Sequence, residues 1–306
     1  MSLSGGPLDG GDLIRVPPAG GPRRVLGRRD DRADAIRSTA IALVSTIVFF
    51  GVIGWIVVNA PGWPAVQESF FNGTLFAEAF GFIRGSFVWE RSILRAFLVN
   101  VQLFLIAEVL ILVFGLVLAV LRSLPGPVFF PVRALATVYA DVFRALPGVL
   151  VIFILGFGIP GLGIAGVPVE PFFYAVVALT LIYSAYVSEV YRAGIESVHP
   201  SQEAAARSLG LSRFQSLRFV ILPQAVRRVI PPLLNDFIGL QKDTVLVSFV
   251  GVVEIFRASQ IKQAATFNFT PYVATALVFI VVTIPLARLT DLLVARDRRR
   301  AAAGAR

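Results

Sequence analysis

Long apolar stretches recur along this chain of 306 residues, and they restrict its fold more than any other feature. The hydrocarbon core of a bilayer is about 30 Å thick, and an α-helix crosses it in about 20 residues. Runs of that length fall near residues 38–58, 97–121, 136–158, 171–191, 229–253 and 272–293. Lipid offers the backbone no hydrogen-bond partner, so each run must satisfy its own N–H and C=O groups as a helix. The sequence therefore predicts an all-α polytopic membrane protein of about six transmembrane helices. Composition agrees: 56% of residues are hydrophobic and 15% charged, where soluble domains have about 45–50% and about 25%. Two runs are interrupted. The third carries Arg144 and Pro147; the fifth carries Pro231, Pro232, Lys242 and Asp243.

The formal charge of +9 is consistent with nucleic-acid binding, but the basic residues sit at the ends of the apolar runs. That distribution reports membrane topology rather than a binding stripe, and no nucleic-acid partner is expected. With the N-terminus inside, the cytoplasmic segments hold 21 Lys and Arg and the opposite side holds five. The bias predicts a cell (inner) membrane protein with both termini in the cytoplasm. Residues 1–37 are rich in Gly, Pro, Arg and Asp and read as a disordered basic tail, and residues 296–306 as a second basic tail. The run at 38–58 is long for a signal peptide and follows a 37-residue leader, so it is expected to remain as an extra N-terminal helix. An external segment then completes residues 38–94. The chain has no Cys and one His, which excludes disulfide frameworks, thiolate metal sites and multi-histidine metal clusters.

Between the fourth and fifth runs lies Ile195-Glu-Ser-Val-His-Pro-Ser-Gln-Glu-Ala-Ala-Ala-Arg-Ser-Leu-Gly-Leu211. Pro200 and Ser201 give a helix start and Gly210 a C′ stop, which predicts a short helix of small residues on a cytoplasmic loop. His199 reads as a polar loop residue. This segment resembles the EAA loop of ABC importer permeases, whose pattern is E-A-A, three residues, Gly, nine residues, I-x-L-P. Here the first block falls on Ala204-Ala205-Ala206, and the last on Val220-Ile221-Leu222-Pro223. Glu203 stands one position early, and Ala204 occupies the Glu slot.

Further blocks are similar to the polar amino acid permeases of that group, a family of histidine-, glutamine- and glutamate-type permeases. They are Tyr139-Ala-Asp-Val-Phe-Arg-Ala-Leu-Pro147, Ala185-Tyr-Val-Ser-Glu-Val-Tyr-Arg192, Leu222-Pro-Gln-Ala225 and Gln241-Lys-Asp-Thr-Val-Leu246. The likeness covers roughly residues 95–295, with the coupling loop at 195–223. It implies a five-helix permease core and transport of a polar amino acid, most readily of the glutamate/glutamine type. It also implies three partners: a second permease copy or paralogue, cytoplasmic ATPase subunits, and an extracytoplasmic amino-acid-binding protein. ATP and Mg are then expected on the ATPase subunits and no cofactor in this chain. Neither lysine, Lys242 or Lys262, ends a phosphate-binding glycine loop. The resemblance assigns ATPase coupling to Ser201, Gln202, Glu203, Ala204, Ala205, Ala206, Gly210, Leu222 and Pro223.

An ionisable group in a span is costly against lipid, so it faces a cavity or a partner. Glu108 sits in the middle of an apolar run, where it either glues helices together or meets a substrate ammonium. Glu189 follows Tyr186 by three residues and precedes Arg192 by three; it either pairs locally or lines the path with Tyr186. Asp141 and Arg144 have the same spacing and read as a structural pair. In the fifth run the prolines suggest a broken helix of the kind that lines binding sites. Asn235, Gly239 and Lys242 share a face there, followed by Asp243 and Thr244. Lys242 meets either a substrate carboxylate or an acid on a neighbouring helix. A secondary transporter driven by an ion gradient is the alternative function, but no inverted repeats are evident. An intramembrane enzyme lacks a nucleophile–base set.

Overall fold

The computed structural model describes residues 30–303; most of the expected N-terminal tail (1–29) and residues 304–306 lie outside the described residues. The chain divides into two units, residues 1–63 and 64–306. The first contains α1 (Asp30–Val58). Residues 30–37, read from sequence as tail, form its opening turns. Ser45 and Thr46 donate their hydroxyls to Ala42 O at 3.0 and 2.7 Å, which lets them sit in an apolar helix without an unmet donor.

The stretch read from the sequence only as an external segment is built of α2 (Trp63–Phe70), α3 (Gly73–Ala79), and the hairpin of β1 (Phe82–Ile83) and β2 (Ser86–Phe87). Arg84 and Gly85 turn the hairpin with φ of 51° and 81°, the left-handed pair that a two-residue hairpin demands. The segment is fastened to the last helix of the chain. Phe269 N donates to Ser69 O (2.8 Å), Asn72 N to Thr270 Oγ1 (3.0 Å), and the Phe70 and Phe269 rings stack at 5.1 Å.

The membrane core follows. α4 (Ile93–Arg122) and α7 (Pro171–Glu196) are long, unbroken helices apolar enough to cross a membrane; α5 (Phe130–Ala145) and α6 (Gly148–Gly161) make a bent pair at 105°. Pro147 explains the bend, because proline drives the preceding residue out of the helical region, and Leu146 is extended (φ −79°, ψ 136°). The third span is therefore not one straight helix. The short helix α8 (Pro200–Ser208) leads to α9 (Leu222–Asp243). The expected break at Pro231-Pro232 is absent: both prolines lie within α9. They deprive the carbonyls of Arg227 and Arg228 of N–H partners, and those two residues are exposed near the polar end of the helix, where the loss is cheapest. The chain breaks later instead, through a 3-10 helix at Thr244–Val250 that ends at Gly251 (φ 92°), before α10 (Ile255–Thr266) leaves at 51°. α11 (Thr270–Ala303) closes the core and carries Pro285 inside it, so residues 296–303 extend a helix rather than starting a tail.

Among the described residues four helices are long and apolar enough to cross a membrane alone, and up to six crossings result if each bent pair counts as one span. α7 lies at the centre, packed by α4, α5 and α9. The contact between α4 and α7 uses small residues: a Cβ on Gly115 would lie 2.8 Å from Val187 Cγ1, and Ala107, Ala119 and Ala185 are buried beside it. The opposite face of α4 carries Leu105, Val109 and Val113, all exposed and apolar. A helix apolar all round belongs in lipid, which wets its outer face. Gly194 brings α7 against α9, where an added Cβ would lie 2.0 Å from Val229 Cγ1. Gly194→Leu is therefore expected to push these helices apart and destabilise the protein by about 1–3 kcal/mol. Thermal unfolding in detergent reads this, and an unchanged midpoint would contradict the packing.

Candidate functional site

Glu189, on the last turns of α7, is where three helices are tied. Arg122 of α4 donates from Nη1 to Glu189 Oε2 at 2.8 Å, and Arg192 grips the other carboxylate oxygen. Arg144, ending α5, brings Nη1 to 3.8 Å of Oε2. Arg192 also pairs with Glu196 at 2.5 Å. The local Glu189–Arg192 pair suggested by spacing exists, within a larger cluster that spacing cannot show. The expected Asp141–Arg144 pair does not form; Arg144 turns to Glu189 instead. Arg122, counted in the sequence only as a topology charge, is the best shielded arginine of the group, its side chain 9% exposed.

Beside this cluster lies a cavity of about 370 Å³, walled by α7 and α9 and reached by Arg144. Tyr186, Glu189, Gly194, Arg228 and Asp236 line it, so both charge signs and a phenol face one space. Tyr186 donates to Arg144 O at 3.3 Å. Asp236 presents a shielded Oδ2 with no hydrogen-bond partner. Glu108 stands at the same depth on α4: the Phe104 and Phe237 rings, one turn from Glu108 and next to Asp236, meet edge to face at 4.5 Å.

The other sequence-derived residues separate. Asn235 and Lys242 are exposed on the open side of α9, seven residues apart and so on one stripe, and Lys242 enters no ion pair among the described residues. Gly239 lies against Tyr183, whose hydroxyl would be 3.4 Å from an added Cβ. Asp243 accepts the Tyr183 hydroxyl at 2.7 Å. Thr244 is fully buried and belongs to a network that the sequence reading missed. There Asn100 donates from Nδ2 to Thr244 Oγ1 (3.1 Å) and Glu254 Oε2 (3.0 Å), and accepts from Ile255 N (3.1 Å). Glu254, itself 0% exposed, caps α10 by accepting from Phe256 N and Arg257 N at 2.9 and 2.8 Å. The signal available in the sequence is an acid immediately before an apolar helical start, which is an N-cap cue.

On the loop between α7 and α9, α8 is built as the sequence indicated. Gly210 (φ 85°) ends it: Gly210 N bonds to Arg207 O (3.0 Å) and Leu211 N to Ala206 O (3.2 Å), a Schellman closure. His199 is more than a loop residue, since its Nδ1 accepts from Ser201 N at 3.2 Å and caps the helix. Ala206 packs inward with Glu203 half-buried on the same side, while Ser201, Gln202, Ala204 and Ala205 face out. Leu222 and Pro223 are exposed nearby, with Leu209 and Phe214 adding apolar surface. Arg228 donates to Ser197 O, joining the lead-in of α8 to α9 and the cavity wall.

Residues 111–299 match the family described as "Binding-protein-dependent transport system inner membrane component". A probable glutamine ABC transporter permease of Bacillus subtilis is 38% identical over 176 residues, covering 57% of this chain and 79% of that protein. A glutamate transport system permease of Corynebacterium efficiens is 35% identical over 206 residues, covering 64% and 89%. Among solved structures, an amino acid ABC transporter crystallised with histidines is 31% identical and superposes with a TM-score of 0.61 over 67% of this chain and 93% of that one.

Proposed function

The chain belongs to the family of binding-protein-dependent transport system inner membrane components, and on that premise we propose that it is the permease subunit of an ATP-driven importer of polar amino acids. Glutamine and glutamate are the substrates favoured by the relatives' names. The observation that carries the reading is the exposed, glycine-closed helix α8, tied through Arg228 and Ser197 to the wall of a charged cavity. In this proposal α8, with Leu222 and Pro223, docks on a cytoplasmic ATPase that binds ATP and Mg. An external binding protein delivers the amino acid, and a second permease copy or paralogue faces the open side of α9. The path runs past Tyr186, Glu189, Asp236 and Glu108 and along Asn235 and Lys242. Gly239, Asp243 and Thr244 shape its wall from behind.

The test is uptake of labelled glutamine and glutamate into proteoliposomes holding this chain, the ATPase and the binding protein. Transport is expected only with ATP and the ATPase, and to survive collapse of the ion gradients. Gradient-driven uptake without the ATPase would overturn the proposal. Within that assay Gly210→Trp is expected to insert normally yet uncouple hydrolysis from uptake. Open space surrounds the glycine, but the left-handed backbone penalises any side chain by about 1–2 kcal/mol, enough to unseat the end of α8. Topology has its own check. Cysteines at Ser4 and Gly304 are expected to react with an impermeant maleimide only after permeabilisation, and labelling of intact cells at either site would contradict two cytoplasmic termini.

A further inference from the structure

A second cavity, of about 230 Å³, lies away from the first, between α4, α9 and α11. Its wall is apolar, formed by Phe97, Val101, Phe104 and Leu105 of α4, Phe237 of α9, and Val282 and Leu286 of α11. Two amides stand in this wall. That of Asn100 is used up by Thr244, Glu254 and Ile255. Gln241 is 7% exposed; its Oε1 accepts from Thr283 at 3.0 Å, and its Nε2 is shielded from solvent with no partner. A buried amide donor left unmet is costly, because it has given up its hydrogen bond to water without gaining another. Turning the amide over does not remove the problem, because one of its two ends stays unpaired.

We infer that this groove seats one acyl chain of a membrane phospholipid, with Gln241 donating to the lipid's ester carbonyl. Three observations favour lipid. Leu105, part of the groove wall, is 57% exposed on the face of α4 that continues through Val109 and Val113. The groove's polarity follows the order of a lipid: Asn100 stands about 4.5 Å along α4 from the start of the apolar run at Phe97, and one turn deeper only Phe104, Leu105, Phe237 and Leu286 remain. Finally, a helix with side chains is 10–12 Å across and does not enter a space this small, whereas a single hydrocarbon chain does.

The experiment reconstitutes the full chain in phosphatidylethanolamine–phosphatidylglycerol vesicles doped with a phosphatidylcholine carrying a diazirine on its acyl chain. Illumination is followed by peptide mapping. Adducts are expected to concentrate on Phe97–Leu105 and Val282–Leu286 relative to Val109 and Val113. Gln241→Leu is expected to lower that enrichment roughly 2- to 12-fold, the equivalent of one neutral hydrogen bond, and Val282→Trp to abolish it. Adducts spread evenly along α4 in the unmodified chain would overturn the inference, and this reading needs no variant to fold. So would unchanged enrichment in Gln241→Leu. A Leu105→Cys chain that cross-links to a second protein while the groove resists the lipid label would assign the groove to that protein instead.

Discussion

Replacing Glu189 with leucine is expected to destabilise the subunit by about 2–4 kcal/mol and to abolish transport. The change leaves Arg122, whose side chain is 9% exposed, without its carboxylate, and Arg144 and Arg192 as like charges nearby. Breaking a buried pair typically costs about 3–5 kcal/mol; the lower range applies because Glu189 itself is 24% exposed and partly screened. Unfolding in detergent and ATP-dependent uptake are the two readouts. The double variant Arg122→Leu, Glu189→Leu removes charge on both sides and is expected to recover most of the stability. If stability returns without transport, the cluster serves the path as well as the scaffold. A single Glu189→Leu variant as stable as the parent would show that the three helices do not depend on this carboxylate.

Glu254→Ala is expected to cost about 3–5 kcal/mol, the sum of several buried groups left unmet at about 1–3 kcal/mol each. Asn100 Nδ2 loses an acceptor, and the first amides of α10 lose their cap. The unmet groups lie away from bulk solvent, since Glu254 and Thr244 are 0% exposed and Asn100 2%. Glu254→Gln keeps one carbonyl oxygen for the cap and is expected to lose about half as much. Hydrogen exchange adds a local readout, because the amides of Phe256 and Arg257 should exchange far faster in the alanine variant. Equal protection in both proteins would place the stability of α10 elsewhere.

Some of this was legible in the sequence because it is written in local spacing. Twenty-residue apolar runs give helices in lipid whatever their neighbours, and Pro200 with Gly210 brackets α8 by rules confined to one turn of backbone. The bend at Leu146–Pro147 also follows from a local clash. Pro231-Pro232 misled because the cost of a proline depends on where the freed carbonyls lie, and that is a tertiary fact. His199 was missed as a cap because imidazole is an uncommon residue in that place.

The sequence by itself determined the membrane class, the long apolar helices and the family, through hydropathy and motif spacing. Only the tertiary structure decided which polar groups meet. Glu189 and Arg122 are 67 residues apart, and Asn100 and Glu254 are 154 apart. Periodicity along one helix shows which face a residue occupies but not which helix covers that face. Packing supplies that choice: Gly115 and Gly194 let α4 and α9 close on α7, and the polar side chains then pair at the contacts that result.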